Sequence, residues 1–173
     1  MSIQQLLEKE HSRPQTERVV GYIGKDEVRF AELMRVVLAN QKTIAQRAAW
    51  CMSLVAIPSP YLFLPYLDRI LRLMQQPNAH DSIVRNTLKI LEQLQIPEHV
   101  QGELVDTCLG FIMEPNKPPA IKAFAISTLQ NICRQHPELA PEIRIILTER
   151  IESEKPAFQS RARRFLKEFS GNI

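Results

Sequence analysis

Four stretches decide how this chain folds: FAELMRVV (Phe30–Val37), LDRILRLM (Leu67–Met74), VDTCLGFI (Val105–Ile112) and IRIILTER (Ile143–Arg150). Laid over one another, they align Phe30, Leu33, Met34 and Val37 with Leu67, Ile70, Leu71 and Met74. The third and fourth copies are Val105, Cys108, Leu109, Ile112 and Ile143, Ile146, Leu147, Arg150. Successive copies are offset by 37, 38 and 38 residues. Each has the i, i+3, i+4, i+7 spacing that puts side chains on one face of a helix. A pattern repeated at such a period fixes the architecture before any single motif does.

A second comb lies between the copies of the first. Ala45, Ala49, Met52, Ser53 and Ala56 recur as Ile83, Thr87, Ile90, Leu91 and Leu94, then as Ile121, Ala125, Thr128, Leu129 and Ile132. The last copy is Phe158, Ala162, Phe165, Leu166 and Phe169. Each unit is thus a pair of helices, neither of which can bury its stripe alone, so stacked neighbours share a core. The expected fold is all-α: an α-α superhelix of about four helical pairs plus capping helices, nine or ten helices in all. It is read as one domain over 1–173, with an N-terminal cap over 1–24, repeats over 25–152 and a C-terminal capping helix over 153–173.

Composition is consistent with this. Of 173 residues 45% are hydrophobic, enough for a sizeable core, and only 5 are glycine. Three cysteines, Cys51, Cys108 and Cys133, form no Cys-x-x-Cys pair and lie inside helical patterns, so buried thiols in a reducing cytoplasm are expected. No basic-then-apolar leader opens the chain. Ala48–Leu67 is free of charge for spanning length, but Pro58, Pro60 and Pro65 divide it into the end of one helix and the start of the next, so no membrane segment is expected.

The combs, with prolines near helix starts, make residues 26–169 resemble HEAT and armadillo-like repeat proteins. Arg47 and Arg85, at matching places on two helices, look like the basic position many such repeats carry. The chain is also similar to short bacterial HEAT-like chains, some of which carry the name adenylosuccinate lyase. The mobile Ser-Ser-x-Met-Pro-x-Lys-x-Asn loop that gives that lyase family its catalytic serine is absent here, so the resemblance implies architecture and not lyase chemistry.

Catalytic signatures are missing. His11, His80, His99 and His136 belong to no full set of His and Cys at ligand spacing. There is no phosphate-binding glycine loop and no nucleophile elbow. No catalytic residue, cofactor or metal is expected. What remains is surface. On the second helix of each pair the positions between comb teeth include Arg35, Asp68, Arg69, Arg72, Asp106 and Arg144. Arginines there suit carboxylates or phosphates, unless Glu32 with Arg35 and Asp68 with Arg72 merely pair along their own helices. Two further patches compete: Tyr61 and Phe63 at the proline-rich junction, and Arg161, Arg164 and Lys167 on the last helix.

A net charge of +3 is mild for a nucleic-acid binder. The first expectation is therefore a non-catalytic scaffold that binds a protein or an acidic peptide on the concave face formed by the second helix of each pair. Contact with a nucleic-acid backbone is the second, and an enzyme or lyase-associated role a remote third.

Overall fold

The computed structural model describes residues 1–171; Asn172 and Ile173, the end of the expected capping segment, lie outside the described residues. Every regular element among the described residues is helical. The chain divides into two compact units, Met1–Ile90 and Leu91–Ile173.

The first unit opens with α1 (Ile3–Lys9) and α2 (Arg13–Ile23), followed by α3 (Glu27–Leu38) and α4 (Lys42–Ala56). Each of the first three starts on a side chain that accepts an otherwise unpaired backbone N–H: Ser2 from Gln5, Ser12 from Gln15, and Asp26 from Val28 and Arg29. Pro60 then opens the one-turn α5 (Pro60–Phe63), a 3-10 turn runs over Leu64–Tyr66, and α6 (Leu67–Met74) and α7 (Asp81–Leu91) follow. The expected break at Pro65 is present. A proline has no N–H to donate, so the α ladder lapses there into a 3-10 turn. This split raises the number of α segments to eleven among the described residues.

Both combs form the core of this unit. Phe30, Leu33, Met34 and Val37 are buried, as are Leu67, Ile70, Leu71 and Met74, and so are Ala45, Ala49, Met52, Ser53 and Ala56. Polar bonds at the repeat period join equivalent turns. Asn40, in the left-handed region at φ 51, donates from Nδ2 to the Asn78 carbonyl (2.8 Å) and accepts the His80 N–H on Oδ1 (2.9 Å). Arg47 donates to the carbonyl of Leu7 at 2.7 Å, which places a cation at the C-terminal end of α1.

The second unit comprises α8 (Glu98–Met113), α9 (Pro119–Cys133), a 3-10 turn (Pro137–Leu139), α10 (Ala140–Arg150) and α11 (Pro156–Glu168). α9 packs against both α8 and α11. Here the third comb needs a correction. Leu104, Cys108, Phe111 and Ile112 are buried on α8, while Val105 and Leu109 are half-buried. Turning the stripe inward at Phe111 buries a large ring, which outweighs hiding a leucine. Arg150, at the end of the fourth comb, is half-buried and donates to the Met113 carbonyl at 3.2 Å.

Candidate functional site

The proline-rich junction explains how one short segment faces both ways. Successive helical residues are about 100° apart, so residues two apart point to nearly opposite sides. Phe63 is fully buried while Tyr61 remains 49% exposed. Phe63 is therefore a core residue and not the surface anchor the sequence suggested. Tyr66 turns its ring edge-on to Phe30, centroids 6.0 Å apart, and is half-buried.

Beside this junction is a groove of about 470 Å³. On one side α3 contributes Glu27 from its first turn and then Val28, Ala31 and Arg35, which the i, i+3, i+7 spacing puts on one face; on the other are Tyr61, Pro65 and Tyr66. One residue from each of the two rival patches, Arg35 and Tyr61, thus lines the same groove. Val28 is 80% exposed, an apolar side chain kept off the core beside an exposed tyrosine. Its signal was in the sequence, as an apolar residue outside the comb with Ala31 and Arg35 on its face, but the comb drew attention only to the buried side.

Arg35 shares the groove with the Glu27 carboxylate at the start of α3, and among the described residues no i, i+3 partner pairs with it directly. Glu32, three residues before Arg35, accepts instead from the Ile3 N–H on Oε1 at 2.8 Å, serving the start of α1. Among the described residues Arg35 makes no side-chain hydrogen bond or ion pair, nor do Arg69 and Arg72, which are exposed on α6 with Asp68. Asp106 lies in the second unit and is exposed, and Arg144 is half-buried with no acceptor for its Nε among the described residues. On α11, Arg164 and Lys167 are exposed. Arg161 is engaged internally: it donates to Glu92 at 3.1 Å and Ser127 at 2.6 Å and lies 5.4 Å from the Phe124 ring centre.

The thiols are suited to packing. Burial pushes Cys51 and Cys133 up to about 12, the latter with help from the Glu138 and Glu168 carboxylates, and Cys108 higher still. Among the described residues no group of three or more His, Cys, Asp or Glu is placed to hold a metal ion. No helix of the described residues is long and apolar enough to cross a membrane.

A family model described as a HEAT repeat domain matches residues 3–169. No curated protein and no solved structure matches the chain.

Proposed function

The chain belongs to the HEAT-repeat family, and from that premise we propose that it is a non-catalytic interaction domain whose partner docks in the groove of Val28, Arg35 and Tyr61. The observation that carries this reading is the meeting of an unpaired arginine with two exposed apolar or aromatic side chains beside one concavity. Aromatic residues and arginine supply much of the energy at protein interfaces. The partner is a protein or peptide that brings an apolar side chain to Val28 and Tyr61 and a carboxylate to Arg35, with Arg69 and Arg72 on α6 as further cations. Nothing in the groove resembles a set of acid, base and nucleophile, so catalysis has no part in the proposal.

Replacing Arg35, Arg69 and Arg72 together with Ala should abolish partner capture while the melting temperature stays close to wild type, because exposed helix positions seldom move stability by more than about 0.5 kcal/mol each. A nucleic-acid role would show differently. Affinity for generic duplex DNA would fall steeply with ionic strength, and Tyr61→Ala would matter less than loss of the arginines. Capture unchanged by both sets of substitutions would rule out the groove.

A further inference from the structure

The second unit contains a groove of opposite character, about 410 Å³ in volume, formed by α8 with the end of α9 and the 3-10 turn after it. α8 brings Glu98, Gly102 and Asp106 to it at i, i+4, i+8 spacing, and the turn brings Glu138; no lysine or arginine lines it. The absence is informative in a chain whose net charge is +3. Glu98 and Asp106 make no side-chain hydrogen bond or ion pair among the described residues. Among the described residues Glu138 has only the ring of His136, Nδ1 to Oε1 at 3.2 Å.

A neutral acceptor adds an independent indication. Gln101 also lines the groove and is 6% exposed. Its Nε2 donates to the Ile96 carbonyl at 2.9 Å, while its Oε1 meets no donor among the described residues. A buried carbonyl oxygen without a donor is costly and calls for one. Gly102 leaves the space open: a Cβ built there would meet nothing within 4 Å. Val105 and Ile132 supply apolar wall.

Carboxylates at the rim, an unsatisfied acceptor and an apolar wall together describe the counterpart of a long cationic side chain. We propose that this groove takes an arginine from a partner polypeptide. The stem lies along Val105 and Ile132, and the guanidinium is held by Glu98, Asp106 and Glu138 with one N–H donated to Gln101 Oε1. Arginine suits the site better than a point charge because its five donors can serve several acceptors at once, and its stem is buried readily with the head in polar surroundings. The site is in the other unit from the Val28 and Tyr61 groove and prefers the opposite charge, so either can fail without the other.

The test is an NMR titration of the ¹⁵N-labelled full chain with acetyl-Leu-Arg-Leu-amide, using acetyl-Leu-Glu-Leu-amide as control. The arginine peptide should shift the Gly102 amide and the Gln101 side-chain NH2 saturably, and the glutamate peptide should not. Glu98→Gln with Asp106→Asn should weaken binding at least tenfold, Gly102→Leu should abolish it, and Arg35→Ala with Tyr61→Ala should leave it unchanged. Gly102 is in a helix with space around it, so the leucine variant should melt no lower than wild type; Gly102→Ala, a smaller intrusion, should weaken binding in the same direction. An equal response to both peptides, or binding indifferent to the carboxylate and Gly102 variants, overturns the proposal. So does N-acetylarginine amide binding as tightly as the tripeptide, which would mean that a small cation and not a polypeptide is recognised.

Discussion

Lys122 Nζ lies 2.7 Å from Glu154 Oε1, and the two side chains are only 4% and 12% exposed. The pair joins α9 to the segment between α10 and α11. It makes Lys122, beside the comb residue Ile121, part of the interior. A buried ion pair adds little over a well-packed apolar pair, but an ion left without its partner is expensive. Glu154→Ala should therefore lower stability by about 3 to 5 kcal/mol, whereas Lys122→Met with Glu154→Leu should come out near neutral. Urea unfolding of both variants checks this, and equal losses would mean that the pair does not act as a unit.

The rotated stripe on α8 separates two leucines that the sequence treats as equivalent. Leu71 is buried and Leu109 half-buried. Leu71→Ala should cost about 2 to 5 kcal/mol through lost burial and a residual cavity, and Leu109→Ala clearly less. Leu104→Ala should behave like Leu71→Ala. The midpoints of denaturant unfolding give the order directly.

Gly102 offers a gain. It lies inside α8 with no heavy atom near its missing Cβ, so Gly102→Ala removes backbone freedom from the unfolded chain without a clash. An increase of about 0.5 to 1 kcal/mol is expected, read as a raised melting temperature. The same substitution narrows the acidic groove.

Acid should weaken the second unit through Glu168. Arg134 grips that carboxylate with two N–H groups, at 2.6 and 3.0 Å, and Gln130 adds a third donor. Chiefly through the Arg134 bond, the carboxyl titrates below its ordinary value of 4.5. A depressed folded-state value means that the stabilisation is present above the unfolded value and is lost as pH falls through the folded one. The pair is partly exposed, so the effect should stay under about 1 kcal/mol. Stability measured from pH 6 down to pH 3 should fall less steeply in Glu168→Gln than in wild type.

The fold was legible because burial repeats. All of the first two copies of the comb, and Ala45 to Ala56, are where the spacing put them. The site was less legible for three physical reasons. Periodicity reports what is hidden, so Val28, exposed beside Arg35, gave no periodic signal. Two residues two apart, Tyr61 and Phe63, were indistinguishable until the short helix set their directions. The i, i+3 partner of Arg35, Glu32, was already committed to the Ile3 N–H, a contact 29 residues away that no local rule anticipates.

The most direct test of the interaction reading is photo-crosslinking from the groove in living cells. Tyr61→benzoylphenylalanine and Val28→benzoylphenylalanine should each yield the same discrete protein adduct, and adding Arg35→Glu should remove it. Gln46→benzoylphenylalanine, exposed on α4 and outside the groove, should not yield that adduct. Equal adducts from all three positions, adducts that disappear with nuclease treatment, or no adduct from positions 61 and 28 would contradict a protein-docking groove there.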